Sequence, residues 1–569
     1  MRRRLFPALV AGGVVAAALA LPSQAAPRAV GVITITEVSI PVVDGPHDDE
    51  HVTIDATLYV PPGVDARHRV PVVVAANGFG GSKDDFAGKE ANFLASHGYA
   101  VLAYSSRGFG ASTGEIGLDS PDYDVKDVQQ LVTWLANRPE VQLDRTGDPR
   151  VGMIGPSYGG GIQLMAAEYD RRIDTIVPFI TWNSLVYALD PSNDSVAMRH
   201  EAKEGVFKHE WTSLFFGLGT AQPLASNEGA SVPPRQCLGF VDGLCEAYYT
   251  SMATGSPTPE TLALLKRSSP ETLRERLRVP TLLIQGQSDT LFNLNDAIAN
   301  YTALKANRVP VKMIWANGGH GYSDAPGERS WTDPANDVLA KRVLAWYDKY
   351  LRRSRHADTG PGFEYVRDWV PYTGSAEPAY ASARQFPVGR TQTLFLSGNG
   401  TLVSHREEAT AGTATFVNPP AGAPLSYSET SNFQQSNFSS VPATDPRGTF
   451  AAFTATPFTR DTDVVGVPVA TVRLTSAIGL ATVFAKAYDV APDGTATLVR
   501  RLVAPVRATD LTKPVTITLA GFAHRFPAGH SLRLVLAATD AAYRAQQVPT
   551  TYGVVVDPAT PSTLTIPVV

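Results

Sequence analysis

Hydrophobic and polar residues alternate in the first part of the chain and then give way to continuous apolar runs. Residues 30–60 alternate, as in V-T-I-D-A-T-L-Y-V, which is typical of antiparallel strands with one buried face. Runs such as V-P-V-V-V-A-A are apolar throughout, which is typical of parallel strands buried on both faces. The apolar runs lie at 70–76, 99–104, 150–154, 173–180, 280–285 and 310–315, and segments with helical spacing lie at 86–98, 124–138, 158–169, 294–306 and 336–351. This order predicts an α/β fold whose mostly parallel sheet has helices on both faces.

The alternation of strands and helices is interrupted at two places. Residues 184–278 are rich in helix-forming, aromatic and charged residues, and we interpret them as a helical cap inserted over the carboxyl edge of the sheet. From about residue 361 onward, short alternating strands are separated by turns such as P-D-G and G-N-G, which predicts a β-sandwich of the jelly-roll type. The sequence therefore predicts an α/β domain over 26–360 and an all-β domain over 361–569.

The N-terminal residues have the pattern of a signal for export. M-R-R-R is followed by an apolar stretch and then by P-S-Q-A-A, which predicts a signal peptide over 1–25 with cleavage near Ala25. The alternative is an uncleaved membrane anchor, although the stretch is short for a span. Export predicts a secreted, extracellular protein that has no membrane attachment after cleavage.

The charge and the two cysteines argue against some kinds of partner and site. The net charge is −5 and no basic run lies outside the extreme N-terminus, which argues against nucleic acid as a partner. Cys237 and Cys245 are the only two cysteines, and they form either a disulfide or two free thiols. Neither has the spacing of a redox or structural metal site.

Ser157 lies in G-P-S-Y-G, which matches the G-x-S-x-G pattern of a nucleophilic serine. Ser112 in G-A-S-T-G matches the same pattern, so the pattern alone does not identify the nucleophile. Only Ser157 is preceded by a buried strand and followed directly by a helix, as the strained turn that exposes such a serine requires. We therefore predict that Ser157 is the nucleophile and that Ser112 belongs to a structural turn.

A nucleophilic serine needs a base and an orienting acid. When such a serine lies at the carboxyl edge of an α/β sheet of this kind, the acid follows it along the chain and the histidine follows the acid. Asp289 follows the strand T-L-L-I-Q, and His320 follows the strand V-K-M-I-W. The alternatives are that Asp289 caps a helix, that the neighbouring Asp296 is the acid, and that His320 is an ordinary loop histidine. The order and spacing predict Asp289 and His320 as the partners of Ser157.

An oxyanion hole requires two backbone N–H donors. Tyr158 follows the serine, and Phe79 lies in the loop A-N-G-F-G-G-S after the first buried strand, so we predict their N–H groups as the donors. The alternative for this loop is a plain glycine-rich turn. Phe79, Tyr158 and Trp182 are also candidate walls of the substrate pocket, with core packing as the alternative.

The sequence resembles the X-Pro dipeptidyl-peptidase and cocaine-esterase family of α/β-hydrolases over nearly all of the predicted mature chain. The resemblance is carried by G-P-S-Y-G-G, by R-G-F-G-A-S-T-G, and by the C-terminal segments A-K-A-Y-D-V-A-P-D-G and F-P-A-G-H-S-L-R-L-V-L. It implies a triad carried here by Ser157, Asp289 and His320, and acyl-enzyme chemistry without metal or organic cofactor. The implied substrate is a small ester or peptide.

Three functions remain open at this point. The first is X-Pro dipeptidyl-peptidase-like cleavage, the second is ester hydrolysis without peptidase activity, and the third is an exported binding module that has lost catalysis. A dipeptidyl-peptidase also needs carboxylates for the substrate's free amine. Glu201, Glu204 and Glu210 lie close together in the sequence and are candidates for this role. Basic residues are interleaved with them, which favours the alternative that they form a solvated helix face.

Overall fold

The structure of the protein, a computed structural model, describes residues 31–194, 205–226, 237–272, 275–320, 327–331, 336–428, 443–544 and 548–569. The segment that is predicted to direct export lies outside these residues, as do Glu201 and Glu204. None of the helices in the described ranges is both long and apolar enough to cross a membrane.

The first domain is built on one mixed β-sheet. Its strands, together with the separate hairpin β5–β6, are β1 (Thr34–Asp44), β2 (Glu50–Val60), β3 (Val72–Ala76), β4 (Ala100–Tyr104), β5 (Leu143–Arg145), β6 (Asp148–Pro149), β7 (Val151–Pro156), β8 (Ile173–Phe179), β9 (Thr281–Gly286), β10 (Val311–Ala316), β11 (Phe363–Val366) and β12 (Tyr380–Ala383). In the described residues the order across the sheet is β1-β2-β4-β3-β7-β8-β9-β10-β11-β12. The strands from β4 to β11 in this order run parallel, and antiparallel strands close both edges.

Helices cover both faces of this sheet because its central strands are apolar throughout. The helices are α1 (Phe86–Ser96), α2 (Asp124–Ala136), α3 (Tyr158–Tyr169), α4 (Leu185–Leu189), α5 (His209–Ser226), α6 (Leu244–Thr254), α7 (Pro259–Arg267), α8 (Leu294–Ala306) and α9 (Val338–Tyr350). Helices α2, α3 and α8 pack on one face, and α1 and α9 pack on the other. The alternating order of strands and helices is the one that the sequence predicts.

The cap lies between β8 and β9, as predicted. It contains α4 to α7, and its aromatic residues form an apolar cluster with residues from the edge of the sheet. Cys237 and Cys245 are joined by a disulfide, which decides between the two alternatives that the sequence left open.

The sheet of the first domain extends beyond residue 360, where the sequence predicted that this domain ends. Strand β11 pairs parallel with β10, with Phe363 opposite Met313, and β12 pairs antiparallel with β11. The polar residues before β11 resemble a linker in sequence, whereas the hydrogen bonds of β11 place it in the first sheet. The sheet of the first domain therefore continues to Ala383.

The second domain consists of short strands around a large apolar core, as the predicted β-sandwich requires, and a second apolar cluster faces the cap. The core is built from alternating positions such as Val472, Leu474, Leu534 and Leu536. The strands are β13 (Arg390–Leu396), β14 (Thr401–Val403), β15 (Gly412–Asn418), β16 (Phe450–Ala455), β17 (Thr462–Gly466), β18 (Val469–Ser476), β19 (Ala481–Val490), β20 (Ala496–Leu498), β21 (Ala504–Ala508), β22 (Val515–Thr518), β23 (Phe522–Phe526), β24 (Ser531–Ala537), β25 (Thr550–Val556) and β26 (Thr563–Val568).

Hydrogen bonds tie the second domain to the cap and to the carboxyl edge of the first sheet. The backbone N–H of Arg544 donates to the carbonyl of Phe207 at 2.8 Å, and Thr518 N–H donates to the carbonyl of Asn193 at 2.7 Å. Asn295, in the first turn of α8, accepts from Gly521 N–H at 3.1 Å. The second domain is therefore anchored next to the predicted site.

Candidate active site

Ser157 lies in a strained turn between β7 and α3. Its φ of 53° and ψ of −113° are sparsely populated for a non-glycine residue. Its N–H donates to Phe179 O, and its carbonyl accepts from Thr181 Oγ1 at 2.8 Å as well as from the N–H groups of Gly160 and Gly161. These bonds hold the turn so that the Ser157 side chain projects from the carboxyl edge of the sheet.

The turn requires glycine because strand β3 passes close beside it. A Cβ on Gly155 would lie 2.6 Å from Ala76 O, and one on Gly159 would lie 2.5 Å from the same oxygen. Either methyl group would push strand and helix apart. The small residues that surround Ser157 in the sequence are therefore a packing requirement, which the motif alone does not reveal.

The structure brings Ser157, His320 and Asp289 together at this edge. His320 Nε2 lies 2.9 Å from Ser157 Oγ, and His320 Nδ1 lies 3.0 Å from Asp289 Oδ2. Since an ionised carboxylate only accepts hydrogen bonds, this arrangement places the proton of a neutral His320 on Nδ1 and leaves Nε2 free to accept from the serine. Asp289 is fully buried and His320 is 3% exposed.

The Asp289 carboxylate is held by its own loop. Its Oδ1 accepts from the N–H groups of Leu291 and Phe292, at 2.9 and 3.0 Å, and its Oδ2 accepts from Gln285 Nε2 at 3.1 Å. Asp296, the alternative acid, instead accepts from Asn183 N–H at 2.9 Å. The carboxylate that contacts the histidine is therefore that of Asp289.

Two aromatic rings enclose the His320 imidazole. Trp211 from α5 meets the imidazole edge-on at 5.3 Å between ring centroids, and Phe292 does so at 5.1 Å. Trp211 is fully buried, and its indole N–H donates to Thr290 Oγ1 at 3.2 Å. The cap thus contributes directly to the surroundings of His320, and apolar walls keep water away from it.

The N–H groups of Phe79 and Tyr158 are available for an oxyanion. A Cβ on Gly78 would lie 3.9 Å from Ser157 Cβ, so the loop with Phe79 runs beside the serine. Within the described residues, neither N–H donates to another group of the protein. Asn77 shapes this loop from inside, because its side chain donates to Gly78 O and Gly81 O and accepts from Ser106 N–H.

The Tyr158 side chain is anchored beneath the site. Its hydroxyl donates to Asp124 Oδ1 at 2.8 Å and accepts from Asp119 N–H at 3.1 Å. Burial raises the pKa of Asp124 to about 6, although the hydrogen bond from Tyr158 and the charge of Arg107 oppose this shift. The side chain of the residue after the nucleophile is therefore fixed by two hydrogen bonds.

A cavity of about 120 Å³ opens next to Ser157 and is lined mainly by apolar side chains. Phe79, Tyr158 and Trp182, the predicted wall residues, all line it. Asp190 is the one charged residue among the described residues that line it. Further lining residues from the cap include Leu185, Phe215, Phe216, Phe240 and Leu244.

The other residues named from the sequence lie elsewhere. Ser112 Oγ donates to Ser105 O at 2.7 Å and accepts from Asp55 N–H at 2.9 Å, so it holds a turn. Glu210 lies in the first turn of α5 and is not among the described residues that line the cavity.

Sequence reasoning missed Trp211, Phe215, Phe292 and Gln285 as parts of the site. Phe292 and Gln285 lie within four residues of Asp289 in the sequence, and this closeness could have identified them as neighbours of the predicted acid. Trp211 and Phe215 lie about a hundred residues from His320 in an insertion, and only the folded chain brings them to the site.

Fold and geometry together define an α/β-hydrolase with an inserted cap and a C-terminal β-sandwich. Residues 48–322 match the family model of the X-Pro dipeptidyl-peptidase (S15 family), and residues 372–560 match that of the X-Pro dipeptidyl-peptidase C-terminal non-catalytic domain. The chain belongs to this family of hydrolases.

Individual relatives are distant. An uncharacterized protein of Pseudomonas aeruginosa, PA2218, is 27% identical over 175 residues, which are 30% of this chain and 46% of that protein. The chain thus spans less than half of that relative's length.

Solved structures share the whole architecture. An aminopeptidase from a marine sediment archaeon, Thaumarchaeota archaeon, has a TM-score of 0.69 at 15% identity and covers 96% of this chain and 98% of its own. An α-amino acid ester hydrolase has a TM-score of 0.63 at 17% identity, with the same coverage. At these identities the likeness establishes the fold.

Asp296 gives a prediction about pH and stability. Burial raises its pKa to about 8, and the charge of Asp289 adds to this effect, whereas backbone hydrogen bonds and Lys208 oppose it. Between the unfolded pKa of about 4 and a pH of about 8, the folded protein keeps a proton that the unfolded chain releases, so this group makes stability fall as pH rises. Asp296→Asn removes the contribution.

We expect the free energy of unfolding of Asp296→Asn to decrease less from pH 5 to pH 7.5 than that of the wild type. The difference should approach about 1.4 kcal/mol per pH unit. Urea denaturation of both proteins at the two pH values measures it. The other buried acids contribute equally to both proteins, and parallel pH profiles would contradict the prediction.

Proposed function

We propose that this protein is a serine hydrolase that cleaves ester or peptide bonds through an acyl-enzyme intermediate. The observation that carries the proposal is the chain of contacts from Ser157 Oγ to His320 Nε2 and from His320 Nδ1 to Asp289. The strained turn at Ser157 and the membership of the family support the same function.

In the proposed mechanism, Ser157 Oγ attacks the carbonyl carbon of the substrate while His320 Nε2 takes the hydroxyl proton. The C–O or C–N bond then breaks, and the imidazolium returns the proton to the leaving group. Asp289 keeps the Nδ1 proton in place and stabilises the imidazolium. Water repeats the sequence on the acyl-enzyme and releases the acid.

The oxyanion of each tetrahedral intermediate is stabilised by the N–H groups of Phe79 and Tyr158. One such donor is worth about 10²–10³-fold in turnover, because it is oriented before the charge develops. The aromatic walls around His320 strengthen these interactions by excluding water.

The cavity beside Ser157 favours an uncharged, apolar acyl group. Aromatic and aliphatic side chains form most of its lining, and a leucine- and phenylalanine-lined cavity of about 150 Å³ accepts a benzene ring. At about 120 Å³, this cavity suits a short alkyl chain or a small ring. Esters are also easier to cleave than amides, because an alkoxide leaves with less protonation.

X-Pro dipeptidyl-peptidase activity is the second candidate, and the two family matches are the observation that favours it. Such an enzyme has to bind a charged amine. Asp190 is the described lining residue with the charge for that role. A binding module without catalysis is the third candidate, but it provides no reason for a strained serine beside a correctly oriented histidine.

Substitutions of the triad test the mechanism. Ser157→Ala and His320→Ala should each lower kcat for p-nitrophenyl butyrate by about 10⁶-fold, and Asp289→Asn should lower it by about 10⁴-fold. Ser112→Ala is the matched control, because it removes the other G-x-S-x-G serine and two structural hydrogen bonds. The assignment is wrong if Ser112→Ala is inactive while Ser157→Ala turns over.

A paired assay separates the esterase from the exopeptidase. We expect hydrolysis of p-nitrophenyl butyrate, because any working triad cleaves an activated ester. Gly-Pro p-nitroanilide should be cleaved only if the site also binds a free amine, and its N-acetylated form is the control. Cleavage of the free-amine anilide but not of its N-acetylated form would establish the exopeptidase. Hydrolysis of the ester with no cleavage of either anilide would exclude it.

We also propose that the protein is exported and cleaved near Ala25. The basic and apolar pattern of the first residues supports this proposal, and so does the Cys237–Cys245 disulfide, since disulfides persist in oxidising compartments. N-terminal sequencing of protein recovered from the culture medium should begin close to residue 26. Recovery only from the cell, beginning at Met1, would contradict export.

A further inference from the structure

Lys208 is a buried lysine close to the proposed acid. It lies in the cap one residue before α5, and it is 3% exposed. Its Nζ donates to Thr290 O at 2.6 Å and lies 3.4 Å from Leu291 O. Among the described residues, no carboxylate oxygen lies within ion-pair distance of this ammonium.

A buried ammonium without a carboxylate partner is costly, because its charge loses the hydration that it has in water. An apolar residue at this position would avoid that cost. In this structure the carbonyls of Thr290 and Leu291 accept hydrogen bonds from the ammonium. The buried Asp296 interacts with the same charge at longer range.

These carbonyls belong to the peptide groups that hold Asp289. The peptide group between Thr290 and Leu291 directs its C=O to Lys208 and its N–H to Asp289 Oδ1, at 2.9 Å. The next peptide group, between Leu291 and Phe292, has the same arrangement, with its N–H 3.0 Å from Asp289 Oδ1. Two peptide dipoles thus lie between a cation and an anion, and each charge strengthens the hydrogen bonds of the other.

The second domain holds Lys208 in this place. The ring of Tyr543 lies 5.6 Å from Lys208 Nζ, within the range of a cation–π contact. The residues on both sides of Lys208 are also bound by that domain: Phe207 O accepts from Arg544 N–H at 2.8 Å, and His209 Nε2 lies 2.8 Å from Ala541 O.

We propose that Lys208 is a positioning residue that fixes Asp289 through the two peptide groups of residues 290–292, and that the C-terminal domain keeps Lys208 in position through Tyr543. The inference rests on the proposed serine-hydrolase function. It gives the second domain a part in turnover, although none of the described residues of that domain lines the cavity beside Ser157.

The test is a comparison of Lys208→Met with Lys312→Met. Lys312 is an equally buried lysine that donates to a backbone carbonyl, Thr359 O, at 2.7 Å, but it also pairs with Glu364 and lies near the amino end of β10, away from the site. For Lys208→Met we expect kcat for p-nitrophenyl butyrate to fall by about 10- to 100-fold, the loss that small misplacements of catalytic groups produce. KM should stay unchanged, and Lys312→Met should keep the wild-type kcat.

The outcomes separate this inference from the proposed function. A wild-type protein that hydrolyses no ester would overturn both. An active wild type together with a folded Lys208→Met variant of normal kcat, or a rise in KM alone, would overturn the inference only. If Lys208→Met does not fold, Tyr543→Leu decides: the inference requires a fall in kcat of about threefold at unchanged KM, and a wild-type kcat contradicts it.

Discussion

The close approach of three backbone segments at Ser157 is the constraint on which the site depends. Strand β3, strand β7 and helix α3 meet where Gly155 and Gly159 face the carbonyl of Ala76. This contact forces Ser157 into its strained conformation and brings the loop with Phe79 beside it. The same approach therefore exposes the serine hydroxyl and positions both backbone donors, so that one packing requirement serves two parts of the chemistry.

The remaining groups reach the site from separate layers of the molecule. The sheet supplies Asp289 and His320 from the ends of β9 and β10, and the cap supplies Trp211 and the apolar walls of the cavity. The second domain binds the segment just before α5 and the loop after α4. Both segments contribute residues to the cavity lining, Phe207 and Asp190. The catalytic groups therefore belong to the sheet, whereas the cap forms the walls that determine which acyl group fits the cavity.

Much of the fold and the central residues of the site follow from the sequence for a simple reason. Carboxyl ends of parallel strands meet at one edge, so a serine, an acid and a histidine that each follow a buried run are brought together by topology. Local context also separates Ser157 from Ser112. Trp211, Lys208 and Tyr543 could not be found in this way, because their roles depend on contacts between an insertion, a loop and a second domain far apart in the chain. The short, half-polar strands β11 and β12 were missed because only their pairing with β10 identifies them.

The central claim is that Ser157 is an activated nucleophile, and covalent labelling tests it most directly. Purified protein is treated with a serine-directed fluorophosphonate, and the modified residue is located by peptide mass spectrometry. The account predicts rapid, stoichiometric modification of Ser157, since its hydroxyl lies 2.9 Å from a histidine that an acid orients. Labelling of a different serine, or a folded protein that is not labelled at all, would contradict it.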